Sequence, residues 1–175
     1  MSRVLVTGGV RSGKSAHAEA LAGTSGEPVT YVAAGPSYDD ADWAARIARH
    51  RSSRPAAWTT LETRDVAGVL GTAGRPVLVD CLGTWLQGLV DEADLWEAPS
   101  EEIHTAVGRA CDAVVAAVAA ATVDVVLVTN EVGLGLVPEH RSGRLFRDLL
   151  GEVNQRVAAV CDEVHLVVAG RILRL

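Results

Sequence analysis

The sequence predicts an α/β fold: a single domain over residues 1–175, with a mostly parallel sheet flanked by helices and a C-terminal antiparallel edge strand. Three observations lead there. Short runs rich in valine and leucine alternate with longer segments of helical periodicity from one end of the chain to the other. The first apolar run passes directly into a glycine-rich turn that opens a helix, the order of a parallel crossover unit. No internal repeat, low-complexity tract or Pro/Gly-rich linker divides the chain, and 175 residues are enough for one substantial core.

Val4-Leu5-Val6-Thr7 has the composition of a buried strand; Gly8 to Ser12 breaks it, and Gly13 to Ala22 reads as a helix. Gly26-Glu27-Pro28 leads into a second strand, Val29 to Ala34. A helix is expected over Asp40 to Arg51, with Trp43 and Ile47 on one side. Val66, Val69 and Leu70 suit a short helix, Val77-Leu78-Val79-Asp80 the next strand, and Leu82 to Val90 another helix. Asp91 to Pro99 reads as an exposed acidic loop around Trp96, with Ser100 as the N-cap of the helix that follows. In that helix Ile103, Val107, Cys111, Val114, Val115 and Val118 recur at helical spacing. Val123 to Thr129 is a valine-rich strand and Asn130 to Arg141 a loop. Arg144 to Val160 is a helix with Leu145, Leu149, Val153 and Val157 four apart. Val164 to Val168 is a strand, and Ala169-Gly170-Arg171 turns the chain so that Ile172 to Leu175 returns as the antiparallel edge.

Hydrophobic residues make up 49% and charged residues 22% of the chain, a globular balance that excludes long disorder. A net charge of -6 argues against a broad nucleic-acid-binding face. Cys81, Cys111 and Cys161 lie far apart in apolar runs without metal-ligand spacing, and read as buried thiols of a reducing compartment. The N-terminus enters a strand without a signal-peptide layout. The longest apolar candidate for a spanning helix, Ala113 to Val128, contains Asp124 and a change to strand. The expectation is a cytoplasmic protein with no stable membrane insertion and no nucleic-acid partner.

Gly8-Gly9-Val10-Arg11-Ser12-Gly13-Lys14-Ser15 matches G-x-x-x-x-G-K-[ST], between a strand and a helix as that motif requires. Glycines let the backbone turn its N–H groups inward around phosphates, and the helix N-terminus adds partial positive charge. Lys14 is placed to reach the outer phosphates of a nucleoside triphosphate, and Ser15 offers a hydroxyl to Mg²⁺. Asp80, ending the strand Val77 to Val79, suits either a magnesium-holding carboxylate or a helix cap before Leu82.

Arg46-Ile47-Ala48-Arg49-His50-Arg51-Ser52-Ser53-Arg54-Pro55 is the dense basic patch of an acidic chain. Guanidiniums this close repel one another unless an anion joins them, and a triphosphate is a suitable anion. Neighbouring cations disfavour an imidazolium, which leaves His50 with a lone pair for attack on phosphorus. The same residues also read as a solvated helix end with a surface histidine. Glu131, after the valine-rich strand, suits metal binding, orientation of a substrate hydroxyl or a turn cap; Arg141, Arg144 and Arg147 suit phosphate contact or a solvated helix face. His17 reads as a packing or surface residue. His104, His140 and His165 have no partner pattern, and Trp43, Trp58, Trp85 and Trp96 default to packing.

Together, four segments resemble the bifunctional adenosylcobinamide kinase / adenosylcobinamide-phosphate guanylyltransferase family of cobalamin biosynthesis. They are Val6 to Ser15, Arg46 to Arg51 with Arg54-Pro55 and Trp58-Thr59-Thr60, Val128 to Glu139, and Phe146-Arg147-Asp148 with Gly151 and Asn154-Gln155, which span nearly the whole chain. The resemblance implies a RecA-type P-loop sheet and two linked reactions. ATP or GTP phosphorylates the aminopropanol hydroxyl of adenosylcobinamide. A histidine, falling here on His50, then takes GMP from GTP and passes it to the cobinamide phosphate. It implies Lys14 and His50 as catalytic residues. Nucleotide contacts fall on Gly8, Gly9, Val10, Arg11, Ser12, Gly13, Lys14, Ser15, Arg49, Arg51, Arg54 and Glu62, and Mg²⁺ on Ser15 and Asp80. It also implies a homotrimer. A P-loop kinase of another small molecule, or a GTP-binding protein without transferase activity, shares the phosphate loop but gives His50 no covalent role.

Overall fold

The protein is described here by a computed structural model that covers residues 1–35 and 54–175 in describable detail. The helix expected over 40–51, and with it Trp43, Arg46, Arg49, His50 and Arg51, lies outside the described residues. In chain order the elements are β1 (Arg3–Gly8), α1 (Lys14–Ala22), β2 (Thr30–Ala33), β3 (Thr59–Glu62), α2 (Val66–Gly71), β4 (Val77–Asp80), α3 (Leu82–Glu92), α4 (Ser100–Ala120), β5 (Val125–Val128), α5 (Arg141–Ala158), β6 (Glu163–Val168) and β7 (Arg171–Arg174). Among the described residues the strands form one seven-stranded sheet in the order β3-β2-β4-β5-β1-β6-β7. All neighbours are parallel except β6 and β7, which pair antiparallel with Leu166 opposite Leu173.

Strand parity sorts the core into two faces, because successive side chains point to opposite sides of a sheet. Leu5, Val32, Val77, Val79, Val125 and Leu127 face α2, α3, α4 and α5 and join one large apolar cluster with Trp85, Leu86, Ile103, Leu149 and Val153. Val4, Val6, Val29, Tyr31, Leu78, Val126, Val128 and Val167 face the other way, into a smaller cluster closed by Ala18 and Ala22 of α1. Alternation carries the same parity to the strand ends. Gly8, Asp80 and His165 therefore lie on the α1 side, in line with Val6, Leu78 and Val167.

Several expectations need correction. Thr59–Glu62 is a strand that the sequence did not announce, since its polar, mostly exposed residues at the sheet edge lack a strand's apolar alternation. Ser100 is the first residue of α4 rather than its cap: Pro99 holds the N-cap position, with no side-chain cap bond. The final long helix begins at Arg141, three residues earlier than the apolar spacing suggested. Cys81 and Cys111 are buried, whereas Cys161 is only half-buried. The 21 residues of α4 are long and apolar enough to cross a membrane by composition, but Ile103, Val107, Cys111, Val114 and Val118 are buried in the large cluster.

Candidate functional site

The glycine loop joins β1 to α1 at the C-terminal edge of the sheet. Gly8 has φ +156°, and a Cβ there would stand 2.4 Å from the Val167 carbonyl oxygen, so the backbones of β1 and β6 approach as only glycine allows. Gly13 takes a left-handed conformation (φ +99°) at the N-cap of α1 and makes no side-chain cap bond, which leaves the first N–H groups of the helix open to an anion. The Ser12 N–H donates to the Gly9 carbonyl at 3.3 Å, and the Gly170 N–H to the Ser12 carbonyl at 2.8 Å, so the β6–β7 turn braces the loop. Lys14 Nζ folds back to donate to the Gly9 carbonyl at 3.3 Å. Val10 and Arg11 stand exposed at the loop crest, Gly9 is exposed beside them, and Ser15 is half-buried in the first turn of α1. The Thr7 and Ser12 hydroxyls are buried without a hydrogen-bond partner among the described residues, a rare condition for buried polar atoms.

Asp80 ends β4, separated from β1 by β5 alone. It is not a helix cap: Cys81 occupies that position for α3, and the Thr84 hydroxyl donates to the Cys81 carbonyl at 3.1 Å. Instead the Tyr31 hydroxyl donates to Asp80 Oδ2 at 3.0 Å. Burial, then the Asp80 charge, push the Tyr31 phenol well above its ordinary range, so it stays protonated and donates. The Arg54 guanidinium lies 3.2 Å from the Tyr31 ring centroid, donates to Thr60 Oγ1 at 3.1 Å, and comes within 3.9 Å of Glu19 Oε1 from α1. Burial raises the Glu19 carboxyl, with Arg54 opposing and Asp80 adding to the rise. Burial first, then the Asp80 charge, raise the Cys81 thiol, while its hydrogen bonds with Thr84 and, less, the Lys14 charge oppose the rise.

The structure thus brings residues 8–15, Asp80 and Arg54 together at one end of the sheet. Glu62 is exposed at the end of β3, paired in register with Ala33. A small cation held by Ser15 and Asp80 fits the donors present: they are hard oxygens, one of them a carboxylate, as suits an ion that keeps most of its water. Glu131 N–H donates to the Gly8 carbonyl at 3.1 Å, while its Oε1 accepts from the Gly133 N–H at 2.7 Å. One oxygen of its carboxylate thus caps the turn at Gly133.

Arg141, Arg144 and Arg147 of α5 act as loop braces, a role that their sequence spacing did not suggest. Arg147 donates to the Gly133 and Gly135 carbonyls at 2.8 and 3.0 Å, Arg144 to those of Pro138 and Glu139, and Arg141 to those of Trp96 and Ala98. Thr129 donates to Asn154 Oδ1 at 2.5 Å, and Asn154 returns a bond to the Asn130 carbonyl at 3.0 Å, fixing the strand end beside the phosphate loop. His17 pairs with His165, Nε2 to Nδ1 at 2.9 Å, and His165 Nε2 reaches Glu163 at 2.8 Å. Burial, the neighbouring His165 and Arg174 all lower the His17 pKa. His17 and His165 are 148 positions apart, so nothing near either residue in the sequence announced their pairing.

A helix N-terminus left open behind a glycine loop, on the side of the sheet where a strand ends in a carboxylate, is the arrangement of P-loop nucleotide-binding proteins, and this chain is one of that class. Residues 4–175 match the family described as cobinamide kinase / cobinamide phosphate guanyltransferase, and the chain belongs to that family. It is 45% identical over 175 residues to the bifunctional adenosylcobalamin biosynthesis protein CobU of Salmonella typhimurium, covering 95% of this chain and 96% of that protein. The Escherichia coli protein of the same name is 44% identical over 175 residues, with the same coverage. The bifunctional adenosylcobalamin biosynthesis protein CobP of Pseudomonas aeruginosa is 38% identical over 174 residues, covering 96% of this chain and 94% of that protein. The family places the chain among enzymes with kinase and guanylyltransferase chemistry.

Proposed function

We propose that this chain phosphorylates adenosylcobinamide and then converts the phosphate to adenosyl-GDP-cobinamide, through a guanylyl intermediate on His50. The observation that carries the reading is the open N-terminus of α1 behind the Gly8–Ser15 loop, with Lys14 in its first turn. In the kinase step the hydroxyl oxygen of the aminopropanol arm bonds to the γ-phosphorus of ATP or GTP and gives up its proton to solvent, while the bond from that phosphorus to the β-phosphate oxygen breaks and ADP or GDP leaves. Loop N–H groups and Lys14 neutralise charge as it moves onto that oxygen. Ser15 and Asp80 are the residues that would hold Mg²⁺, which supplies charge neutralisation on the phosphate oxygens when bound. In the second step a lone pair of the His50 imidazole bonds to the α-phosphorus of GTP, and pyrophosphate leaves with the electrons of the broken P–O bond. A phosphate oxygen of the cobinamide phosphate then displaces the imidazole, breaking the P–N bond. Arg49, Arg51, Arg54 and Glu62 are assigned to nucleotide contact on the strength of the family resemblance. Work in the cytoplasm as a homotrimer completes the proposal.

The deciding experiment is the intact mass of the protein after mixing with GTP and Mg²⁺, beside His50→Ala. An acid-labile GMP adduct on the parent alone is the expected result. Absence of the adduct, where GTP demonstrably binds, would leave the phosphate loop to a kinase of another small molecule or to a GTP-binding protein.

A further inference from the structure

Tyr31 lies in β2, opposite Leu78 of β4, and its long side chain runs along the α1 face toward the strand end. Asp80 follows Leu78 by two residues on the same face, which brings its carboxylate within reach of the phenol: the hydroxyl donates to Oδ2 at 3.0 Å. Among the described residues Asp80 Oδ1 accepts no hydrogen bond. The ring that carries the hydroxyl is itself fixed. It is 3% exposed, capped by the Arg54 guanidinium at 3.2 Å, and Arg54 in turn is held by Thr60 and lies near Glu19 of the phosphate-loop helix.

We infer that Tyr31 is a positioning residue for the nucleotide-bound cation: its hydroxyl occupies one oxygen of Asp80 and fixes the carboxylate so that the other faces the ion. The inference rests on the assignment of Asp80 to Mg²⁺. Partners behind a metal-binding carboxylate set its orientation, and their loss typically weakens metal binding by about 10- to 100-fold. Arg54 and Glu19 extend the same line of contacts, so the orientation of Asp80 is tied to the helix that begins at the phosphate loop.

The test is GTP affinity of the full-length protein, measured by calorimetry across a Mg²⁺ titration and again in excess EDTA, for the parent, Tyr31→Phe and Asp80→Asn. Phenylalanine keeps the ring beneath Arg54, so the variant is expected to fold, with a melting temperature close to the parent's. The Mg²⁺ concentration for half-maximal effect should rise about tenfold in Tyr31→Phe, with affinity in EDTA unchanged. Asp80→Asn should lose the Mg²⁺ effect. If Asp80→Asn loses it while Tyr31→Phe stays within twofold of the parent, the positioning role is overturned and the metal assignment survives. An Asp80→Asn protein with the parent's Mg²⁺ dependence overturns both. Equal loss of affinity with and without Mg²⁺ in Tyr31→Phe also overturns the positioning role, since the hydroxyl would then serve the pocket at large.

Discussion

The two faces of the sheet are built from the same strands, yet they differ in kind. The face under α2, α3, α4 and α5 holds a continuous apolar cluster with Trp85, Leu86, Ile103, Leu127, Leu149 and Leu150 almost wholly buried. The face under α1 is narrower, closed by alanines rather than leucines, and carries Glu19, Tyr31, Arg54, Asp80, His17 and His165 at or beside its margin. Among the described residues, one helix packs on this face and four on the other. Small residues let α1 sit close to β1 and β5, and that closeness sets the helix N-terminus against the strand ends. Burial on the broad face supplies the stability, at roughly 25 cal/mol per Å² of apolar surface removed from water. Among the described residues, the buried polar side-chain atoms without a hydrogen-bond partner are the Thr7 and Ser12 hydroxyls at the phosphate loop and Arg54 Nε.

If the faces divide labour in this way, substitutions should separate activity from stability. Lys14→Ala, on the narrow side, should lower the cobinamide phosphorylation rate by roughly 10²–10³-fold or more, since a charge aimed at the moving phosphate is lost. Its melting temperature should stay within a few degrees, and a kinase rate equal to the parent's would remove Lys14 from the reaction. Trp85→Ala, on the broad side, should cost about 3–5 kcal/mol, because a fully buried indole leaves a cavity and the Arg64 carbonyl loses its donor at 3.1 Å. Denaturant titration reads that directly, and a loss below ~1 kcal/mol would mean that the broad face is not the main source of stability.

A smaller effect should arise where the faces meet. Asn154→Ala strips the Thr129 hydroxyl of its acceptor and the Asn130 carbonyl of its donor, at an expected cost of about 1–3 kcal/mol. Because those bonds also hold the strand end beside the phosphate loop, GTP affinity should fall along with stability; unchanged affinity would separate the two. The smallest effect is a pH dependence. His17 has a folded pKa lowered from 6.5, so above that value it contributes no penalty. As pH falls below 6.5 the unfolded chain takes up a proton that the fold resists, and stability declines. His17→Gln should flatten that part of the profile between pH 7.5 and 5.5. Parallel melting curves for parent and variant across the range would place the titration elsewhere.

How much was readable in the chain follows from the same division. The broad face announced itself: valine runs for buried strands, and four-residue spacing in α4 and α5, because burial of many side chains leaves a periodic trace. The phosphate loop was fully readable, since backbone chemistry demands those glycines, that lysine and that hydroxyl in an unbroken order. β3 was not, because an exposed edge strand of Thr-Thr-Leu-Glu buries too little to impose alternation. Asp80 was noticed with two readings, and the helix-cap reading fell once the N-cap of α3 proved to be Cys81. The arginines of α5 looked like free cations because a side chain's carbonyl partners leave no signature in a sequence.

The linear order of residues thus decided the strand–loop–helix chemistry, the alternation of strands and helices and the family, because each depends on neighbours within a few positions or on runs of burial. Only the tertiary structure decided what lies opposite what. Tyr31 meets Asp80 across 49 positions, and His17 meets His165 across 148. Such pairs are set by the strand order and by parity within each strand, and both come from packing the whole sheet between its two layers of helices.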